Sequence, residues 1–271
     1  NNVAETIEQA ERILAKSRSN PVAQDLYERC QQLADDLFES IGAQLTVSRH
    51  KAISLGRGAF VDAINEPLND VRWLLDQFDR VRSLGSEKEK LAAIERILNR
   101  TNPGPGGIYT NFGSLHSWRY VDMGKGWEND PGSHFSPRVS FGVGLTGKDW
   151  IHEPKPHGFD GRATPLAWVH QVTTLYDQPL RVRYDHLNPD ALYKVRVAYT
   201  GRFRSTMKLV VDETYILHDF MPTGMEPLFE YDIPQQANKD GELVFKWTCP
   251  EGMRGSQVAE LWLIKVKESA F

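Results

Sequence analysis

One feature constrains this chain more than any other: the apolar period changes at Thr101-Asn102-Pro103-Gly104-Pro105-Gly106-Gly107. Two prolines and three glycines within seven residues cannot continue a helix, so the segment marks a boundary. Before it, apolar residues recur at three- and four-residue steps. Val3, Ile7, Ala10 and Ile13/Leu14 form a first stripe, and Asn20-Pro21 restarts the chain in a manner suited to a helix N-terminus. A second stripe runs through Leu26, Cys30, Leu33, Leu37, Ile41 and Leu45. A third takes Leu68, Val71, Leu75 and Phe78, with Asn65 as its cap. A fourth carries Leu91, Ile94 and Leu98 and opens at Ser86-Glu87-Lys88-Glu89, which has the form of a capping box. Four such helices predict a helical bundle or collar over residues 1–102.

After the boundary the period becomes two. Val139, Phe141, Val143 and Leu145 alternate with small residues, and Leu180, Val182 and Tyr184 alternate with arginines. The same rhythm recurs through Tyr193 to Tyr199 and through Leu243, Phe245 and Trp247. The segment Val258 to Val266 is apolar at most positions, which places it at the centre of a sheet. Asn188-Pro189-Asp190, Pro222-Thr223-Gly224 and Lys239-Asp240-Gly241 are turn formers between these runs. Short strands separated by turns, with no helical period among them, predict an antiparallel β-sandwich of jelly-roll type over residues 162–271. The fold class expected is therefore α+β in two parts.

Between the halves, residues 103–161 form a Gly/Pro-rich connector with many large rings: Tyr109, Phe112, Trp118, Tyr120, Trp127, Phe135 and Trp150. That composition is not linker-like, and the connector is expected to pack on the sandwich. It has no Lys-Ser or Lys-Thr in phosphate-loop position.

Several function classes are disfavoured early. A net charge of −4 argues against a nucleic-acid binder, and no apolar run is long enough to span a bilayer. Cys30 and Cys249 cannot form a disulfide framework or a zinc site by themselves, and are expected as isolated buried thiols, with a single bridge between them as the alternative. His152-Glu153-Pro154-Lys155-Pro156-His157 has the wrong spacing and too many prolines for a helical metal site. No acidic loop has convincing calcium-ligand spacing, so no cofactor is expected. The chain begins in a helical pattern with no basic leader. It reads as a mature protein or as a piece of a longer one.

The succession Ala191-Leu192-Tyr193-Lys194-Val195-Arg196-Val197-Ala198-Tyr199, Lys208 to Asp212, Gly241 to Trp247 and Ser256 to Ile264 resembles the galactose-binding-like and malectin-like β-sandwich modules of carbohydrate-active proteins. In those modules a strand of Tyr-x-Val-x-Val form precedes a Gly/Arg turn, and a late apolar strand closes the sheet. The likeness covers roughly residues 160–267. The wider chain looks like C-terminal regions of large polysaccharide-degrading proteins from environmental bacteria. This resemblance implies an ancillary, non-catalytic module that binds polysaccharide or oligosaccharide in an extracellular or periplasmic setting. It also implies a catalytic domain as a neighbour, and a structural calcium is common in similar sandwiches.

Sugar rings offer apolar C–H faces and a rim of hydroxyls, so a sugar site wants exposed aromatic platforms beside planar hydrogen-bonding groups. The candidates are Trp118, Tyr120, Trp127, Trp150, Trp168, His170 and Arg183, with Trp168 and His170 expected on one face of a strand. The alternative for each ring is that it covers the sandwich or glues it to the helices. An enzymatic alternative, a lyase or glycoside hydrolase, would draw on His170, Tyr176 or Glu230, although no catalytic pair is identifiable among Glu226, Glu230, Asp232 and Glu260. A third alternative is a purely structural part docking on a catalytic domain.

Overall fold

The computed structural model describes residues 7–9, 12, 71–113, 115–130, 133–141, 164–168, 170–175, 177–200, 205–222, 228–252 and 255–266, and among these lie eleven strands and two complete helices. Helix α1 spans Val71–Ser83 and α2 spans Glu87–Leu98. The capping box expected at the start of α2 is present: the Glu89 amide donates to Ser86 Oγ at 3.2 Å, and the Ser86 amide donates to Glu89 Oε2 at 3.1 Å. Ile7, Phe78 and Val81 form a small buried cluster with Ala93, Ile94 and Ile97 packed against it. The second expected helix, Asn65 and Cys30 lie outside the described residues, so a four-helix collar is not established.

The alternating half forms two antiparallel four-stranded sheets and a smaller three-stranded one. The first has the order β1 (Ile108–Asn111), β11 (Glu260–Val266), β5 (Leu192–Ala198), β8 (Leu228–Asp232). The second runs β4 (Leu180–Tyr184), β9 (Leu243–Thr248), β6 (Thr206–Val211), β7 (Tyr215–Pro222). The third is β10 (Gln257–Val258), β3 (His170–Thr173), β2 (Arg138–Phe141). Consecutive strands repeatedly change sheet, as from β4 to β5 and from β5 to β6. The two large sheets are therefore interleaved in the chain and form one sandwich.

The core follows from the period of two. Inward positions Leu180, Val182 and Tyr184 of β4, Leu243, Phe245 and Trp247 of β9, and Met207, Leu209 and Val211 of β6 face Tyr193, Val195 and Val197 of β5 and Leu261 and Leu263 of β11. All are buried in one cluster, each large side chain contributing about 1.5–3 kcal/mol. As its apolar run implies, β11 sits in the interior of its sheet between β1 and β5.

Two details differ from the sequence expectation. The last apolar run is broken at Ala259, whose amide donates to the Ala198 carbonyl while its own carbonyl accepts from Phe112, so β10 and β11 join different sheets. The connector does more than pack on the sandwich: it supplies β1 and β2. Gly255, just before β10, lies so close to the chain that a Cβ there would stand 1.9 Å from the Thr174 carbonyl oxygen. The sheet junction requires glycine at this point.

Candidate functional site

The six candidate side chains among the described residues do not converge on one surface. Leu115–Tyr120 forms a 3-10 turn that closes the sandwich beside β4, and Val121 bridges Val182. Trp118 packs against the main core and its Nε1 donates to the Phe112 carbonyl at 3.0 Å. Tyr120 lies 4.7 Å from the buried Tyr184 ring, covered by the Arg119 guanidinium at 4.7 Å. These two rings are walls of the fold before they are anything else. Arg183 projects from β4 and pairs with Glu242. Trp150 lies outside the described residues, as do His152–His157, Tyr176 and Glu226.

Trp168 does not share a strand face with His170. It ends a 3-10 turn, Leu166–Trp168, closed by its amide donating to the Pro165 carbonyl at 2.9 Å, and β3 begins only at His170. Both side chains are buried. Trp168 Nε1 donates to Glu260 Oε2 at 2.6 Å, which gives the ring a structural duty. Glu260 itself is fully buried, and it also accepts from Tyr109 and from Arg100 Nη1 at 2.9 and 3.1 Å. The Arg100 carbonyl accepts from Trp262 Nε1 at 2.9 Å, and its guanidinium lies 5.3 Å from the Trp73 ring. This node ties the end of α2 to β1, β11 and the Trp168 turn. Glu230, the carboxylate named for acid–base work, is held by Arg196 at 2.7 Å and faces Lys194 at 3.7 Å.

Among the described residues three aromatic rings remain open: Trp127, 47% exposed, Phe135, 72% exposed, and Phe220 of the edge strand β7, 47% exposed, the last two not selected from the sequence. Gly126, at φ 81°, turns the chain into the single 3-10 turn Trp127–Asn129. Asp130 then organises the residues after that turn. Its carboxylate accepts from the amides of His134 at 2.9 Å, Phe135 at 2.8 Å and Ser136 at 2.9 Å, and from Ser136 Oγ at 2.7 Å. Burial works to raise the Asp130 pKa, but these hydrogen bonds outweigh it and hold the group at about 2. At neutral pH an ionised carboxylate thus holds residues 134–136, with Phe135 exposed on that segment and Trp127 exposed on the 3-10 turn before it. The signal was present in Asp130-Pro131-Gly132-Ser133, a turn sequence whose aspartate is suited to capping amides.

The loop runs straight into β2, the edge of the small sheet. There one face is apolar: Val139, Val172 and Val258 pair in register and are buried. The other face carries Arg138, Thr173 and Gln257 in one row, and Ser140 opposite Gln171 in the next.

No protein-family profile matches the chain, and no curated protein does. Solved structures give loose likenesses. A Bacillus subtilis protein from a structural genomics consortium is 14% identical over 59% of this chain and 40% of its own, with a TM-score of 0.34. A family 35 carbohydrate-binding module from Clostridium thermocellum is 13% identical over 49% of this chain and 95% of its own, with a TM-score of 0.27. A β-(1,4)-mannanase carrying such a module, from Podospora anserina, is 10% identical over 60% of this chain and 28% of its own, with a TM-score of 0.30. Several structural neighbours are carbohydrate-binding modules. The chain spans under half the length of the Bacillus protein and of the mannanase. At such TM-scores the likeness carries nothing about ligand or residue roles.

Proposed function

We propose that this chain is a non-catalytic carbohydrate-binding module whose platform is the Asp130-pinned loop bearing Trp127 and Phe135. The observation that carries the reading is the exposure of Trp127 on its 3-10 turn and of Phe135, whose amide is one of three that the Asp130 carboxylate accepts from. A flat apolar ring open to solvent is what the C–H face of a pyranose stacks on. Preorganisation matters because a weak stacking contact leaves little surplus once ordering costs are met. Of the rings that the sequence nominates, Trp127 is retained as a binder, and Phe135 joins it. Trp118, Tyr120 and Trp168 are given to the fold.

The ligand class is polysaccharide or oligosaccharide, and a catalytic domain elsewhere in a longer protein is the natural neighbour for such a module. An extracellular or periplasmic setting follows from that role. Among the described residues no helix is long and apolar enough to cross a membrane.

Affinity electrophoresis in gels containing galactomannan, arabinoxylan, pectic galactan or laminarin tests the proposal. Retardation on at least one polysaccharide is expected, weakened about tenfold in Trp127→Ala, as loss of a stacking contact worth roughly 1.4 kcal/mol implies. A folded protein that no polysaccharide retards overturns the reading.

A further inference from the structure

The third open ring, Phe220, stands apart from Trp127 and Phe135. It belongs to β7, one edge of the sheet β4-β9-β6-β7, whereas the chain reaches Trp127 from the other edge, where the Asp122 amide donates to the Arg181 carbonyl of β4 at 3.0 Å. Three strand spacings of about 4.8 Å separate the two edges, roughly 14 Å in all.

The outward position of Phe220 comes from a bulge. Met207 of β6 faces Met221, but Leu209 faces His218, so β7 carries one residue more than β6 over this stretch. A regular strand shows only alternate residues to one side; here Asp219 and Phe220 are exposed in succession. The Asp219 carboxylate accepts from the Phe220 amide at 2.9 Å and pairs with Lys208 at 3.4 Å, and Lys208 Nζ lies 5.7 Å from the centre of the Phe220 ring. The Phe220 amide and then Lys208 hold the Asp219 carboxyl below the ordinary carboxylate range, yet the side chain stays 77% exposed. One point on the sheet thus offers solvent a flat ring, an ionised acceptor and an ammonium donor.

The rest of this outer face says what kind of partner fits. Arg181 and Lys246 pair with Glu213, Arg183 with Glu242, and Lys208 with Asp219. Each of these cations is matched by a carboxylate, which gives a polyanion nothing to replace. Among the described residues the exposed large apolar side chains of this face are Ile216 and Phe220. Two such side chains fall far short of the roughly 800 Å² a side that a stable protein interface buries. A neutral glycan matches better, since its hydroxyls both donate and accept and its C–H faces stack on a ring.

We infer that Phe220, with Asp219 and Lys208, is an auxiliary contact for a neutral polysaccharide chain already held at Trp127 and Phe135. This rests on the carbohydrate reading above and deepens it. One stacking contact is worth less than association costs, so Phe220 does not capture a free oligosaccharide. On a polymer already held elsewhere on the same molecule the contact is intramolecular and adds to retention.

The test compares wild type, Phe220→Ala, Phe220→Trp and Trp127→Ala on the same four polysaccharide gels. Calorimetry then titrates each with oligosaccharides too short to reach both edges of the sheet. Phe220→Ala is expected to weaken retardation about threefold and Phe220→Trp to strengthen it, as a smaller and a larger stacking surface imply. Both should match wild type in calorimetry, whereas Trp127→Ala loses binding in both measurements. A folding defect does not move two variants of one residue in opposite directions. Retardation unchanged in both Phe220 variants, or changed with the same sign, overturns the auxiliary contact while the loss in Trp127→Ala leaves the platform standing. Loss of oligosaccharide heat in Phe220→Ala overturns it too, by making the ring part of the first site. So does a lower sedimentation coefficient in Phe220→Ala, which assigns the ring to contact with a second copy of the chain. If no polysaccharide retards the wild type, both readings fall.

Discussion

At the scale of the residue, one carboxylate does most to join the parts of this molecule. Glu260 is fully buried, and four donor contacts from Arg100, Tyr109 and Trp168 converge on it. Removing one member of a buried ion pair leaves the other uncompensated, so Glu260→Gln is expected to cost about 3 kcal/mol in urea unfolding. A loss below about 1 kcal/mol, the level of a surface pair, would show that Arg100 reaches solvent readily. Gly255 is a second such point. With the Thr174 carbonyl oxygen 1.9 Å from where a Cβ would stand, Gly255→Ala must push two backbones apart. Its expected cost is about 2 kcal/mol or more, read from the same unfolding curve.

At the scale of the element, the turn Trp127–Asn129 and the segment 133–136 held by Asp130 are the parts the function requires. Asp130→Ala removes four hydrogen bonds from three successive residues. Because these lie in a surface loop outside the main core, the melting temperature is expected to shift little. Polysaccharide retardation should weaken about tenfold as the Phe135 ring loses its fixed backbone. The Asp130 pKa gives the loop a sign as well. With the folded value at about 2 and the ordinary value at 3.8, its stabilisation is present above about pH 4 and is lost as pH falls towards 2.

Much of the sandwich was legible because it obeys one rule: β4 and β9 alternate cleanly, and β5 does so until Ala198, which is buried on the opposite face beside Trp168 and Trp262. Strand β7, Tyr215–Pro222, was not, because an edge strand with exposed Ile216 and Phe220 has no face that demands alternation. Strand β1 was hidden by its four-residue length behind the Pro-Gly run. The ring count of the connector was legible, but not which rings would be consumed as walls. Trp118 and Trp168 are fixed by acceptors six and 92 residues away, the Phe112 carbonyl and Glu260, and local pattern holds no record of so distant a partner as Glu260. Asp130 lies in a local turn sequence, Asp130-Pro131-Gly132-Ser133, that the reading of the sequence did not use.

At the scale of the whole molecule, the two large sheets are cross-tied through polar groups as well as packing. Trp247 Nε1 of β9 donates to Tyr199 Oη at 2.8 Å, and Tyr199 Oη meets His218 Nε2 of β7 at 2.8 Å. His218 Nδ1 lies 2.9 Å from the Asp219 carbonyl, so the imidazole donates there and accepts from Tyr199. Burial lowers the His218 pKa, although the Asp219 carbonyl and carboxylate pull the other way; Tyr199 and Tyr231 are the other titratable groups against the ring, and Lys208 pairs with Asp219. A base whose folded pKa is depressed binds more protons when unfolded. Its stabilisation is therefore full above about pH 6.5 and is lost as pH falls through the folded value. His218→Phe is expected to flatten the decline in melting temperature between about pH 7 and 5. An unchanged slope would assign that decline to other groups.

The central claim is that Trp127 and Phe135 are open because a sugar covers them. Calorimetric titration of the wild type and of the Trp127→Ala/Phe135→Ala double variant, with oligosaccharides cut from whichever polysaccharide retards the protein most, tests it most directly. The account predicts measurable binding heat for the wild type and none for the double variant, with both proteins melting at the same temperature. Equal heats from the two would contradict it.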